Sequence, residues 1–284
     1  MPDKDVQTAD TRISDSEFSQ FGDFFYRVTG IRFGKAKRYF VDRRLLERIT
    51  ESQAGSFRQY LALISEPEGT EERQRLINAL TVNETSFMRE RYQFRCLTVS
   101  LLPELMARQR RGEPLRIWCI PSSSGEEPYS IAMHLQETLS EPTLRGIHIT
   151  ASDISTRILE RASRGLYSTH SVRNLPPEWT DRYFTHTPLG YQIAPALQRQ
   201  VAFTRVNLSD PADMRQAGTF DVIFCRNLLI YFDETSRREA AERLFHALNP
   251  GGFLCLGHSE SMEQMSSRFL TRKFPDALVY QKPL

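Results

Sequence analysis

From Leu115 onward, short apolar runs alternate with stretches of helical period, and this alternation restricts the chain to an α/β architecture built on a mainly parallel sheet. The runs are Leu115–Ile120 (LRIWCI), Ile147–Ser152 (IHITAS), Val201–Val206 (VAFTRV), Phe220–Cys225 (FDVIFC) and Gly252–Leu256 (GFLCL). They are apolar at adjacent positions, as strands buried on both faces require. Tyr129–Leu139, Ser155–Ala162 and Glu234–Leu248 have the length and spacing of the intervening helices, and Asn249-Pro250-Gly251-Gly252 reads as a stop and turn. In such a doubly wound sheet, ligands bind at the carboxyl ends of the strands. Residues 165–200 break the rhythm with Pro176, Pro177, Pro188 and Pro195, and read as a small lobe inserted between strands.

The region before the sheet is expected to be all-helical. The first dozen residues are polar and expected to fray. Phe18, Phe21, Phe25 and Val28 then follow a helical period that starts at Ser14 and ends at Gly30. In Lys35–Ile49, the residues Phe40, Leu45, Leu46 and Ile49 can share one face, leaving Lys37, Arg38, Arg44 and Arg48 for solvent. Two more helices are expected around Phe57–Ile64 and Leu76–Leu80. The division is a helical domain over 1–82, a linker or lid over 83–95, and a sheet domain over 96–284 carrying the insert.

The chain has 284 residues, 40% hydrophobic and 25% charged, which excludes collagen-like, membrane-embedded and wholly disordered classes. With 37 Lys+Arg against 35 Asp+Glu, the net charge of +2 offers no broad pull toward nucleic acid. Its distribution is uneven, however. Arg27–Arg48 holds 8 basic and 2 acidic residues, while Met1–Tyr26 holds 2 and 6, so one short basic segment asks for a local acidic partner. Cys96, Cys119, Cys225 and Cys255 are scattered without metal-ligand spacing, so reduced structural thiols and no metal are expected. No signal-peptide pattern or membrane-length apolar run is present, so a cytoplasmic location is expected.

Four segments carry candidate chemistry. Ser122-Ser-Ser-Gly-Glu-Glu127-Pro-Tyr129 lies between the first strand and the first core helix. It lacks both glycine-rich phosphate patterns, and its two carboxylates would repel phosphate, so a ligand with positive charge fits better. The same residues also read as a capping box, Ser124 with Glu127, with Pro128 in the first turn. Asp153 follows the second strand, where a carboxylate can accept from both ribose hydroxyls, although a helix cap is an equal reading. Together these two segments point to S-adenosylmethionine rather than NAD. Cys225-Arg226-Asn227-Leu-Leu-Ile-Tyr231-Phe232 ends the fourth strand and faces the reacting end of such a ligand, with Tyr231 equally readable as a half-buried aromatic. Thr81–Glu90 reads as a plain linker, or as a lid over the cleft.

At these residues the chain resembles the chemotaxis receptor glutamate O-methyltransferases, the CheR family. The matching motifs are Asn83-Glu-Thr-Ser-Phe-Met-Arg89-Glu90, Ser123-Ser-Gly-Glu-Glu-Pro-Tyr-Ser130, Ala151-Ser-Asp153, Val206-Asn-Leu208, Phe220–Phe232 and Gly257-His-Ser-Glu260. The resemblance runs from about Ser14 to the C-terminus. It implies a class I S-adenosylmethionine-dependent methyltransferase fold (Rossmann-like) after a helical domain, with a small inserted β-subdomain. The implied reaction esterifies receptor glutamates and leaves S-adenosylhomocysteine.

Carried over by position, Asn83, Thr85 and Arg89 would contact the cofactor, Glu127 its methionine end and Asp153 its ribose. Asn207 and Leu208 would border the adenine, and Cys225, Arg226 and Asn227 would line the pocket. Arg89 and Tyr231 would flank the transferred methyl. Lys35, Lys37, Arg38, Arg44 and Arg48 would face the cytoplasmic region of methyl-accepting chemoreceptors, and the lobe would correspond to the subdomain that in some members docks a receptor C-terminal peptide. No nucleic acid, no membrane insertion and a monomeric state are expected. The family usually has small residues where this chain has Ile120-Pro121. Two other readings are an amine or nucleic-acid methyltransferase, whose paired prolines after the Asn are missing here, and a non-catalytic S-adenosylmethionine-binding adaptor.

Overall fold

The computed structural model describes residues 13–110 and 112–284, so the polar first dozen lie outside the described residues. The chain divides into two compact units, Met1–Thr81 and Val82–Leu284. In the first, α1 (Asp15–Thr29), α2 (Arg38–Glu51), α3 (Phe57–Ser65) and α4 (Thr70–Leu80) surround a core that includes Phe21, Phe25, Val41, Leu45, Tyr60, Ile64 and Leu76. Local signals set the ends of α1. Ser14 and Glu17 form a reciprocal capping box, and Gly30 closes the helix at φ 71°, a left-handed position that glycine enters without a Cβ clash.

The basic segment departs from expectation. A short 3₁₀ turn, Lys35–Lys37, precedes α2, and the helix buries Val41 and Leu45 while Phe40, Leu46 and Ile49 are half-buried. Arg48 is therefore not on the solvent face. Its side chain is 12% exposed, donates to Glu72 at 2.9 and 2.6 Å, and also pairs with Glu51. The Tyr60 hydroxyl donates to the same Glu72 carboxylate at 2.9 Å, and burial pushes the Tyr60 phenol far above its ordinary pKa. Arg38 is drawn into pairs with Asp15 and Asp42, and Arg44 pairs with Glu47.

In the second unit, α5 (Tyr92–Cys96) runs through a π turn into α6 (Leu102–Met106). The wound core follows as β1 (Leu115–Cys119), α7 (Glu126–Thr138), α8 (Glu141–Leu144), β2 (Ile147–Asp153) and α9 (Thr156–Arg164). The insert comprises β3 (Leu166–Tyr167), α10 (Thr169–Val172), α11 (Pro177–Tyr183), β4 (Phe184–Thr187), β5 (Gly190–Ile193) and α12 (Pro195–Gln198). The chain then completes β6 (Val201–Arg205), α13 (Pro211–Ala217), β7 (Phe220–Cys225), α14 (Glu234–Ala247), β8 (Leu248–Leu256), β9 (Leu270–Lys273) and β10 (Leu278–Gln281).

The main sheet has the order β6-β2-β1-β7-β8-β10-β9, parallel except for the antiparallel β10 pairings. The insert carries its own antiparallel sheet, β3-β5-β4. After β1 the chain steps outward to β2 and β6, then returns to β7 on the other side. The switch point thus falls between β1 and β7, where such sheets open a ligand crevice at their carboxyl edge.

Three local expectations are corrected. Asn249–Gly252 lies inside β8 rather than in a turn, and Gly251 at φ 76° accompanies a register shift against β7 between Phe220 and Val222. The first core helix begins at Glu126, not Tyr129. The Ser124–Glu127 capping box does not form: Gly125 occupies the N-cap position at φ 93°, and the Ser124 hydroxyl donates instead to Glu126 at 2.6 Å. Gly125 has little alternative, because a Cβ there would lie 2.9 Å from the Tyr167 hydroxyl and 3.0 Å from the Tyr129 ring. The C-terminal pair β9 and β10 has no counterpart among the runs identified from sequence.

Candidate active site

The switch point holds an open cleft lined mostly by polar and charged side chains. Its walls come from the carboxyl ends of β1, β2 and β7 and from the segment that enters the second unit. Of the candidate residues, Asn83, Thr85, Arg89, Glu127, Asp153, Arg226, Asn227 and Tyr231 line it. Asn207, Leu208 and Cys225 do not: all three are buried beside it. The Asn207 side-chain carbonyl accepts from the Ser209 N–H at 2.9 Å, which spends that oxygen on the local turn. The Cys225 thiol is wholly enclosed, and burial holds it far above its ordinary pKa. Lys35 and Lys37 are exposed in the helical unit.

The entering segment is fixed along its length. Phe87 is fully buried and meets Tyr167 and Phe184 edge-on at 4.7 and 5.3 Å, while the Met88 N–H donates to the Ser130 hydroxyl of α7 at 2.9 Å. The Ser123 hydroxyl reaches across to the Asn83 carbonyl at 3.2 Å. These anchors hold residues 83–89 as one wall. The Arg89 guanidinium lines the cleft, donating to the Glu84 carbonyl at 3.4 Å and helping to offset the burial of Glu127.

At the floor, the Arg226 side chain is 2% exposed and pairs with Glu127 and, at 3.1 Å, with Glu90, while also donating to the Arg89 carbonyl at 2.8 Å. Burial opposes its charge, but the two carboxylates more than compensate and keep it firmly protonated. Burial also lifts Glu127 above the ordinary carboxylate range, against the pull of Arg226. Glu90 lies below that range: burial would raise it, but His258 at 2.8 Å and Arg226 outweigh the penalty. This network joins the entering segment, the start of α7 and the end of β7.

Two observations show what kind of ligand the site would accept. One oxygen of Glu127 and the Ser122 hydroxyl are buried at the cleft without a hydrogen-bond partner among the described residues. A buried acceptor left unmet costs about 1–3 kcal/mol, which a bound ammonium group would relieve. Asp153 supplies the second feature. Its carboxylate accepts from the Ser123 and Ser155 N–H groups at 3.0 and 2.9 Å, and burial still raises its pKa to about 6. An ionised carboxylate held there retains lone pairs for two vicinal hydroxyls. The residues present therefore fit S-adenosylmethionine, with an ammonium near Glu127 and a ribose near Asp153. The helix-cap alternative for Asp153 is resolved locally, since Ser155 caps α9.

Sequence reasoning missed several contributors. Glu90 belongs to the charge network although it closes a recognised motif only as its last residue. Phe94 lines the cleft from outside the segments singled out above, and Val82, Ser123 and Ile230 line it from within them without an assigned role. No group of His, Cys, Asp or Glu among the described residues is arranged to hold a metal, and no helix among them is long and apolar enough to cross a membrane.

Residues 83–277 match the CheR methyltransferase SAM-binding domain, and residues 16–81 match the CheR methyltransferase all-alpha domain. Chemotaxis protein methyltransferase 2 of Vibrio cholerae is 48% identical over 95% of this chain and 94% of its own length. A chemotaxis protein methyltransferase of Vibrio parahaemolyticus is 36% identical over 95% of this chain and 98% of its own. That of Escherichia coli is 37% identical over 92% and 89%. With both units matched and the cleft lined as described, the chain belongs to the CheR methyltransferase family and is an S-adenosylmethionine-dependent methyltransferase.

Proposed function

We propose that the protein methylates glutamate side chains in the cytoplasmic region of chemoreceptors, forming γ-glutamyl methyl esters during chemotactic adaptation in the cytoplasm. The observation that carries this reading is the pairing of Arg89 and Tyr231 in one cleft with Asp153 and the unmet Glu127 oxygen. Arg89 and Tyr231 can both donate to an acceptor carboxylate, while the other two fit the cofactor.

Bound S-adenosylmethionine supplies an activated methyl group. The acceptor glutamate is ionised at neutral pH, so the protein needs no general base. What remains is orientation and exclusion of water, and holding two reactants in register can be worth about 7–11 kcal/mol. Arg89 orients the carboxylate, Tyr231 donates beside it, and Arg226 fixes the wall behind both. Asn83, Thr85 and Asn227 complete the cofactor pocket, with residues 83–90 as its cover.

In the helical unit, Lys35, Lys37 and the exposed edge of Arg44 support docking of an acidic receptor surface. Arg43, 64% exposed, and Tyr39, 82% exposed, extend that face, whereas Arg48 is committed to Glu72. The antiparallel sheet of the insert offers a place for a receptor peptide. Transfer of labelled methyl to a receptor cytoplasmic fragment, compared among the native protein, Arg89→Ala and Tyr231→Phe, tests this reading. Turnover reduced in both variants with cofactor affinity retained supports the assignment, and full turnover in both refutes it.

A further inference from the structure

The tetrapeptide Gly257–Glu260, directly after β8, lines no part of the cleft, yet its contacts reach two of the cleft walls. The Glu260 carboxylate accepts three backbone N–H groups, from Asn227 at 2.7 Å, Leu229 at 2.8 Å and Gly257 at 2.9 Å. The first two amides belong to the segment that carries Asn227, Ile230 and Tyr231 into the cleft, and the third closes the loop on itself. Asn227 sits at φ 59°, a left-handed conformation that a side-chain-bearing residue holds only when its surroundings enforce it. A carboxylate taking the amides on both sides of the turn supplies that enforcement, because charge-assisted acceptors form the stronger class of hydrogen bond.

Gly257 leaves room for this arrangement. A Cβ there would come within 2.8 Å of a Glu260 oxygen and 2.9 Å of the Asn227 side-chain nitrogen. The next residue, His258, pairs with Glu90 at 2.8 Å, and Glu90 in turn contacts Arg226. Gln93 adds a bridge, donating to the Leu256 carbonyl at 2.7 Å and to Glu90 at 3.1 Å. One short loop therefore grips the Asn227–Tyr231 wall through Glu260 and the entering wall through His258 and Glu90.

We propose that Glu260 is a positioning residue for methyl transfer: it sets the Asn227–Tyr231 turn, and with it the Tyr231 hydroxyl, relative to Arg89 on the wall held through His258 and Glu90. It touches neither reactant. The inference rests on the proposed function, because it assigns Tyr231 a place beside the acceptor.

The test compares the native protein with Glu260→Gln and Glu260→Ala in the full chain. An amide keeps one acceptor oxygen, so Gln should retain part of the turn and Ala none. We expect kcat for receptor methylation to fall in the order Glu, Gln, Ala, with the Ala variant about 10- to 100-fold down, as small misplacements produce. Calorimetric affinity for S-adenosylhomocysteine should fall by less than kcat does, because Asn227 is one cofactor contact among several while Tyr231 serves the acceptor, and this separates kcat from binding. Amide hydrogen exchange without any ligand gives an independent readout: the Asn227, Leu229 and Gly257 amides should lose protection while β1 and β7 keep theirs. Unchanged kcat in the Gln variant together with unchanged protection at Asn227 and Leu229 would overturn the proposal, and so would a uniform rise in exchange across the unit with kcat unaltered. If the Ala variant does not fold, the Gln variant decides. Failure of the native protein to methylate the receptor fragment would instead count against the functional reading itself.

Discussion

Replacing Arg226 with Met should destabilise the sheet unit in a way that depends on pH. The native guanidinium is 2% exposed and neutralises two carboxylates, Glu127 at 12% and Glu90 at 11% side-chain exposure. Methionine fills similar space but leaves both carboxylates without their cation. Removing one partner of a buried pair costs about 3–5 kcal/mol, and Glu127, which has no other cation paired with it among the described residues, places this case in that range.

The sign of the pH dependence follows from linkage. Glu127 is already raised by burial, and Glu90 is held low only by His258 and Arg226. In the variant Glu127, left without Arg226, rises further above its unfolded value, while Glu90 keeps His258 and rises less, so the folded state takes up protons that the unfolded state does not. The deficit is therefore greatest above those raised values and shrinks as pH falls, by about 1.36 kcal/mol per unit for each carboxylate. Urea unfolding followed by tryptophan fluorescence isolates this unit, because both tryptophans, Trp118 and Trp179, lie within Val82–Leu284. A loss below about 1 kcal/mol, or one equal at about pH 8 and about pH 5.5, would refute the account of Arg226 as the cation that holds the cleft floor.

Four further outcomes follow from the same geometry. Asp153→Ala should weaken S-adenosylhomocysteine binding about 10- to 100-fold, the worth of charge-assisted hydrogen bonds, as measured by calorimetry. In the native protein that affinity should also decline as pH falls through about 6, because the ionised carboxylate is the acceptor; flat affinity down to pH 5 would remove the ribose role. Glu72→Ala should destabilise the helical unit by about 3 kcal/mol in thermal melts followed by circular dichroism, since it leaves Arg48 with Glu51 alone and the Tyr60 hydroxyl without its acceptor. Lys37→Glu combined with Arg43→Glu should lower those melts only slightly, by about the 0.5 kcal/mol of an exposed i,i+4 pair, while raising the receptor KM several-fold at low salt, an effect that fades as salt screens it.

The parts of the fold written in local sequence were legible in the chain itself. Strands β1, β2, β6 and β7 are short apolar runs, and Ser14 and Gly30 bound α1 by capping chemistry that needs no distant partner. Asp153, Arg226 and Tyr231 were identifiable because they follow strands where core packing no longer requires apolar residues. Features set by distant partners were not legible. Arg48 stands seven residues after the buried Val41 and three after Leu45, so its place turned on Val41 belonging to the core, and Glu72, on another helix, supplies the pair that holds it there. Asn249–Gly252 carries strong turn chemistry, yet pairing with β7 absorbs it into β8 as a register shift. The edge strand β9 (LTRK) presents an exposed Leu270 and has no apolar run, while β10 (LVYQ), paired on both sides, is an apolar stretch too short to stand out beside the central strands. Glu260 was visible as part of a motif, but its role lies in three amides, two of them some thirty residues away, that no spacing rule connects.

The central claim is ester formation on receptor glutamates, and the stability of the transferred methyl tests it most directly. After incubation of the protein with methyl-labelled S-adenosylmethionine and a receptor cytoplasmic fragment, the labelled fragment is treated with mild alkali and volatile methanol is collected. The account predicts that the label leaves as methanol and that replacing the acceptor glutamates by alanine abolishes incorporation. Label that survives alkali, or that persists without those glutamates, would contradict it.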